Sequence, residues 1–216
     1  QAGAGAVDVS QSPLGFMKLP SLWISFVYFF GTAFAIGGVQ TFGPESAAQL
    51  HDLPAAQVAL LVSVYMVGSA CGALVGGNLS RHFAHRLIEM FVLSEAGIGL
   101  FGMLSATLIP LVGDRFVTQS LPVVALVNYL LVLIPATLMG ATLPILVAHL
   151  FQGSRNVGVS IGGLYLANTF GAALGALSTG SLLFTWLTID QTIYLAASLN
   201  FLVALAVVAG LRRSPR

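Results

Sequence analysis

The chain has 216 residues, of which 57% are hydrophobic and only 7% are charged, and its net charge is +1 at pH 7. A soluble domain carries roughly a quarter charged residues because its surface must be solvated, so a mean hydropathy of +0.94 excludes an ordinary soluble protein. The sequence has no basic run, which argues against a nucleic-acid partner. Cys71 is the only cysteine, so the chain forms no internal disulfide.

Six apolar stretches follow a short N-terminal tail, and each is long enough for the ~20 residues that cross a bilayer core. Continuous apolar runs favour helices, because lipid offers no partners to unpaired backbone groups. The predicted spans are residues 21–43, 55–79, 87–112, 121–151, 157–187 and 189–211. The predicted fold class is therefore all-α, a polytopic membrane protein with a six-helix transmembrane bundle.

The residues that flank these spans predict short tails outside the lipid. Residues 1–20 are mostly small and polar, and we expect a disordered N-terminal tail there. A cleaved signal peptide fits less well, since the first apolar run is too long. The transmembrane domain is predicted at 21–211, followed by a basic C-terminal tail at 212–216.

Positive charges fall almost entirely on one side of the six predicted spans, and Arg115 alone falls on the other. The residues on the first side are Lys18, Arg81, Arg86, Arg155, Arg212, Arg213 and Arg216. Cytoplasmic loops retain positive charge, so both termini are predicted to be cytoplasmic. The expected location is a cell membrane, with a bacterial inner membrane as the favoured one.

Small residues recur at intervals of four in two predicted spans. Gly68, Gly72 and Gly76 share one face of the second span, and Gly171 and Gly175 share one face of the fifth. Small residues let helix backbones approach closely in lipid. Two interpretations stay open, packing within one bundle and a seam between two copies of the chain.

The fourth span contains Pro135 and Pro144. Proline removes a backbone donor and clashes with the preceding turn, which predicts a kink. A kink there would serve gating or be purely structural.

Glu95 is the main candidate for chemistry inside the membrane, because it lies about two turns into the third span. An ionised carboxylate at this depth costs several kcal/mol, so the group should be protonated, paired or in a wet cavity. The functional interpretation is a proton or cation site, and the structural one is a neutral acid bonded to a neighbouring helix. Glu89 lies near the membrane boundary and is expected to meet Arg86 or water.

Three further polar residues, Tyr165, Asn168 and Asn200, are candidates for lining a site that takes a polar or cationic solute. Tyr165 and Asn168 are three apart and are expected to share an inward face. Their alternative role is hydrogen bonding between helices. The histidines do not form a ligand set, so no metal and no other cofactor is expected.

Three stretches, RLIEMFVLSEAGIGLFG, IPATLMGATLPILVAHL and GLYLANTFGAALGAL, resemble the membrane domain of spermidine-synthase-like proteins, the fused transporter–spermidine synthases. In that family a soluble aminopropyltransferase-like domain follows the membrane helices. Its glycine-rich loop and acidic polyamine-binding residues have no counterpart in these residues. The resemblance therefore implies a membrane domain, and we do not expect an enzyme.

The first two spans and the loop after them resemble the opening helix pair of the major facilitator superfamily, over the stretch FGTAFAIGGVQTFGPESAAQLHDLPAAQVALLVSVYMVGSACGALVGGNLSRHFAHR. That resemblance implies a bundle like half of a major facilitator fold. The superfamily loop reads G-x-x-x-D-R-x-G-R-R. Gly76, Gly77 and Arg86 match the loop, but Arg81 stands where the acid is expected.

Two functions from different classes remain open. The first is a transporter-like protein that moves a small polar or cationic solute along a path completed by dimerisation. The second is a non-catalytic membrane anchor or accessory subunit of a larger membrane complex or of a soluble synthase-like partner. The expected partners are the lipid bilayer and a second copy of the chain or other membrane subunits.

Overall fold

The computed structural model describes residues 55–116, 118–154 and 157–213, and its regular elements there are all helical. The helices are α1 (Ala55–His82), α2 (Leu87–Phe116), α3 (Leu121–Ser154), α4 (Val157–Ser178), α5 (Phe184–Trp186) and α6 (Ile189–Arg213). The predicted tail at 1–20, the first predicted span at 21–43 and residues 214–216 lie outside the described residues.

Five of the six predicted spans are confirmed as helices that are long and apolar enough to cross a membrane. These segments are Val62–His82, Leu87–Phe116, Pro122–Gln152, Ile161–Trp186 and Ile189–Gly210. The predicted helix starts agree with the structure, and the ends agree to within a few residues. The all-α class is therefore confirmed for the described residues. The remaining predicted helix, at 21–43, lies outside them and stays a prediction.

The fifth predicted span is one helical element with a local change of winding. A π-helical turn at Thr179–Leu183 joins α4 to the single turn of α5. Thr179 is fully buried there, and its Oγ1 donates a hydrogen bond to the Gly175 carbonyl oxygen at 2.9 Å. A π turn inserts an extra residue into the helix, and such turns occur frequently at functional sites.

Helix α6 begins with a reciprocal pair of hydrogen bonds between Thr188 and Gln191. The Thr188 N–H donates to Gln191 Oε1 at 3.0 Å, and the Gln191 N–H donates to Thr188 Oγ1 at 3.3 Å. This capping box satisfies backbone donors that a helix start leaves unpaired. It fixes the short connection after α5.

Helices α1 and α3 run parallel and touch through their backbones. A methyl group built at Gly72 would overlap the Thr137 carbonyl oxygen, and one at Gly76 would lie 2.6 Å from the Ala141 carbonyl oxygen. From Gly72 to Gly76 on α1, the facing residue on α3 moves from Thr137 to Ala141. The residue numbers rise together, so the two helices run in the same direction. Only residues without a side chain allow this distance.

Helix α2 packs against α3 and α6. A methyl group at Gly102 would lie 3.0 Å from Ala197 Cβ, and one at Gly99 would lie 3.1 Å from the ring of Phe201. Gly102 thus faces Ala197, whereas Gly99 reaches on to Phe201. The residue numbers of α2 and α6 rise in opposite directions, so these two helices are antiparallel.

The two ends of the bundle differ in charge. The turn between α1 and α2 carries Arg81 and Arg86, and α6 ends at Arg213 on the same side, which we call the Arg81 end. Gln152, near the end of α3, donates its Nε2–H to the Ala84 carbonyl oxygen at 2.9 Å there. The opposite end carries Arg115 with Asp114 and Asp190, and we call it the Arg115 end.

An apolar core joins four helices near the Arg81 end. Its buried members are Leu87, Phe91, Ala141, Ile145, Leu164, Ala167 and Val203. The outer surface is also strongly apolar, and at the Arg115 end Trp186 is 80% exposed. An exposed apolar surface of this extent indicates a lipid environment, and an exposed tryptophan at a helix end suits the membrane–water interface.

Pro135 and Pro144 lie inside α3, and Pro110 lies inside α2 without having been singled out from the sequence. The hydroxyl of Thr137 donates to the Leu133 carbonyl oxygen at 2.8 Å, within the turn that contains Pro135. Neighbouring hydroxyls of this kind help a membrane helix to tolerate proline. The kink in α3 stays a prediction.

Candidate functional site

Glu95 is completely buried, with 0% of its side chain exposed, and it lies about 12 Å along α2 from Leu87. Phe91, one turn before it, belongs to the apolar core at the Arg81 end. Ile98 and Gly99, about one turn after it, are buried as well. The carboxyl group is not isolated in this interior. The residue singled out from the sequence therefore lies in the protein interior and not on the lipid-facing surface.

The helices packed around α2 bring other polar residues to the level of Glu95. A methyl group at Gly97 would lie 3.1 Å from Leu138 Cδ1 of the antiparallel α3, so Glu95 lies at the level of Gly140 to Thr142. Thr142 is 1% exposed, and its Oγ1 donates to the Met139 carbonyl oxygen at 2.7 Å.

Asn200 approaches the same level from α6. Gly99 lies opposite Ala197 and Phe201, which places Asn200 within about one helical turn of Glu95 along the bundle. Asn200 is 4% exposed, and its Nδ2 donates to the Ala196 carbonyl oxygen at 3.1 Å. One of its polar groups is thus satisfied within its own helix.

Helix α4 contributes Asn168, which follows the core residue Ala167 and is half-buried. Ala167 lies in the same core as Phe91 and Ala141, so helix rise puts Asn168 near the depth of Glu95 and Thr142. We refer to Glu95, Thr142, Asn168 and Asn200 as the polar layer, a set defined by depth along the bundle. Each comes from a different helix, and the layer lies directly beside the apolar core. Hydroxyl, amide and carboxyl groups at one depth could hold a proton or a small polar or cationic ligand.

Tyr165 is not part of the polar layer, because it lies on the outer surface with 65% of its side chain exposed. Leu164, Ala167 and Gly171 mark the buried face of α4. Successive helical residues are rotated by about 100°, so Tyr165 points well away from that face, whereas Asn168 lies at its edge. The expectation that Tyr165 faces inward with Asn168 is wrong for this reason.

The glycines singled out from the sequence are buried in two places. Gly68, Gly72 and Gly76 face α3 of the same chain, and a methyl group at Gly68 would meet Ala136 Cβ at 2.9 Å. Gly171 and Gly175 are buried in α4, along the line that continues to Thr179.

The remaining charged and metal-ligating residues lie apart from the polar layer. Glu89 and Arg86 form an exposed ion pair, with Glu89 Oε2 and Arg86 Nε 3.9 Å apart, as expected for the membrane boundary. Within the described part of the chain, no three histidine, cysteine or acidic side chains are grouped so that they could hold a metal ion.

Sequence reasoning did not name Thr142 or Thr179 as candidate site residues, although both are buried polar residues. Each is almost or completely buried. The sequence did contain indications of their burial. Thr142 lies two residues before Pro144, and Thr179 is four residues after Gly175, on the same helix face. A threonine is common in apolar helices, however, because its hydroxyl can bond the preceding turn.

Comparisons with known proteins give this chain no relative: no protein-family model, no curated protein and no solved structure matches it.

Proposed function

We propose that this chain is a transporter-like integral membrane protein that moves a small polar or cationic solute, with Glu95 as the proton- or cation-binding group. One observation carries the proposal: Glu95 is a completely buried carboxyl group inside an apolar helix. Helix rise places Thr142 and Asn200, both also buried, near its depth. A buried ionisable group is costly in lipid, and its usual place is a substrate or ion pathway.

The burial of Glu95 has a consequence for the transport cycle. With 0% exposure, its carboxyl group reaches water at neither end of the bundle. A transporter in this conformation is occluded, and a cycle must open the polar layer to each side in turn. The resemblance of residues 30–86, which cover the first two predicted spans and the loop after them, to the opening helix pair of the major facilitator superfamily supports this proposal by analogy. The path would be completed by a second copy of the chain.

The second candidate is a non-catalytic membrane anchor or an accessory subunit of a larger complex. The same complete burial favours it, because a sealed interior needs no path. The turn between α1 and α2 favours it too, since Arg81 replaces the acid of the resembled loop. The two candidates differ in whether the Glu95 carboxyl group takes part in movement of a solute.

Uptake into liposomes separates them. The purified full chain is reconstituted, a pH gradient is imposed, and uptake of labelled methylammonium, putrescine and spermidine is measured. We expect uptake of at least one cation above protein-free liposomes, and its loss in Glu95→Gln, because the amide cannot exchange a proton. Glu89→Gln is the matched control on the same helix, since Glu89 is exposed at the membrane edge.

Two results would count against transport. The first is wild-type uptake equal to that of empty liposomes for all three cations. The second is a Glu95→Gln protein that transports like wild type. Either result would favour the function of an anchor or accessory subunit.

We further propose that the Arg81 end faces the cytoplasm of a bacterial inner membrane, with both termini on that side. Positively charged residues are retained on the cytoplasmic side of membrane proteins. This end carries four arginines, Arg81, Arg86, Arg212 and Arg213. The opposite end carries Arg115 together with Asp114 and Asp190.

Single-cysteine labelling in a Cys71→Ser background tests this orientation. A membrane-impermeant maleimide added to intact cells should label Arg115→Cys, and it should label Arg81→Cys and Arg213→Cys only after the membrane is opened. Labelling of Arg81→Cys in intact cells would reverse the orientation. Labelling of Arg81→Cys and Arg115→Cys from the same side would contradict a membrane-spanning α2.

A further inference from the structure

The turn between α1 and α2 presents four basic or imidazole side chains within six residues. Arg81, His82, His85 and Arg86 are all exposed, and we call them the cationic turn. The turn lies between two membrane-spanning segments, Val62–His82 and Leu87–Phe116. Its depth is therefore that of the lipid headgroups.

Hydrogen bonds hold the cationic turn in one shape. The Phe83 N–H donates to the Leu79 carbonyl oxygen and the Arg86 N–H to the Phe83 carbonyl oxygen, each at 2.8 Å. Gln152 of α3 donates to the Ala84 carbonyl oxygen at 2.9 Å, which ties the turn to a second helix. The basic side chains thus project from a fixed backbone, so less entropy is lost when they bind a ligand.

The positive charge of the turn is only partly neutralised. Among the described residues, Glu89 is the one carboxylate at this end outside the buried interior, and its contact with Arg86 is long, at 3.9 Å. Asp114 and Asp190 lie at the Arg115 end. Arg212 and Arg213, at the end of α6, add two further positive charges to the same side of the bundle.

Apolar side chains accompany these charges on the outer surface. Leu79, in the last turn of α1, is 40% exposed, and Phe83, in the connection after α1, is 45% exposed. A ligand that satisfies both features carries a negative group at headgroup depth and an apolar part that enters the bilayer. Inorganic anions offer only the first of these.

We propose that the cationic turn binds an anionic phospholipid, with Arg81 and Arg86 at the headgroup phosphate and with Leu79 and Phe83 against the acyl chains. Arginine matches phosphate because its planar guanidinium donates two parallel hydrogen bonds. This inference does not depend on the proposed transport function.

Binding of defined lipids to the purified full chain in mild detergent tests the proposal. Native mass spectrometry measures the dissociation constants of phosphatidylglycerol and of phosphatidylcholine with the same acyl chains. We expect phosphatidylglycerol to bind more tightly, and Arg81→Gln to weaken it about 5-fold, the effect of one basic residue near an anionic surface. Phosphatidylcholine binding should not change.

Two further variants make the test specific. Arg86→Gln should weaken phosphatidylglycerol binding less than Arg81→Gln does, because Glu89 already offsets part of the Arg86 charge. Arg115→Gln, at the other end of the bundle, is the matched control and should bind like wild type. A melting temperature for each variant verifies that it is folded.

Three results would overturn the proposal. Equal affinity of the wild-type protein for the two lipids would remove the charge selectivity. Equal losses in Arg81→Gln and Arg115→Gln would show a general charge effect in place of a site. Displacement of phosphatidylglycerol by an equal concentration of glycerol 3-phosphate would show a free-phosphate site without acyl-chain contacts.

Discussion

Replacing Gly72 with alanine is expected to destabilise the protein by about 1–3 kcal/mol, although alanine is the better helix former. The added methyl group would overlap the Thr137 carbonyl oxygen and lie 2.8 Å from its carbonyl carbon. These are backbone atoms of α3, so no side-chain rotation relieves the overlap and the two helices must separate. The change in unfolding free energy is measured in detergent by chemical denaturation.

Gly77→Ala is the matched control one residue beyond Gly76 on the same helix. The nearest atom to a methyl group there is Pro144 Cβ at 3.9 Å, which is ordinary van der Waals contact. The control should be neutral or slightly stabilising, because glycine is unfavourable in a helix by about 1 kcal/mol. Gly68→Ala should fall between the two, since it meets side-chain atoms first. Equal stabilities of the Gly72 and Gly77 variants would contradict the backbone contact.

Replacing Glu95 with leucine is expected to cost about 1–3 kcal/mol of folding stability if the carboxyl group has the structural role, because its partner on a neighbouring helix would be left unsatisfied. In the transport role the change is expected to be neutral or stabilising, because a costly buried acid is removed. Glu95 is 0% exposed, so water cannot take over those interactions. Leucine has a similar size but no polar atom, which makes the effect one of polarity more than of volume. Thermal and denaturant unfolding of the two proteins in the same detergent give the difference.

Glu95→Gln is the companion variant, since it keeps the shape and one carbonyl acceptor while it removes the exchangeable proton. Its stability should stay close to that of wild type even where its transport is lost. A leucine variant as stable as wild type would show that the carboxyl group contributes no net stabilising interaction. A glutamine variant as unstable as the leucine one would show that the acid itself is required for folding.

The positions of the five described segments that could cross a membrane were predictable from the sequence, because hydropathy and length determine them. Polar breaks at residues 83–86, 118–120 and 187–188 coincide with the turns between helices. Glu95 could be found in the same way, because a carboxyl group in an apolar run is conspicuous. The exposed pair of Arg86 and Glu89 followed from their spacing at the start of α2.

The directions of side chains and the pairing of helices could not be predicted so well. A lipid-facing surface is as apolar as the protein interior, so hydropathy does not distinguish the two faces of α4. Tyr165 therefore faced the wrong way in the prediction, and Thr142 was not named as a candidate site residue. The parallel contact of α1 and α3 depends on which glycine faces meet, which the sequence does not specify.

The direct backbone contact between α1 and α3 limits how the bundle can change shape. Neither helix can slide along the other without Gly72 and Gly76 leaving the carbonyl oxygens that they face. The hydrogen bond from Gln152 to Ala84 holds the same two segments together at the Arg81 end. The pair is therefore expected to move as one unit, so a conformational cycle of the proposed transport would move α4 or α6 against it. In such a cycle the interior around Glu95 would open where α6 meets α2, or where α4 meets α3.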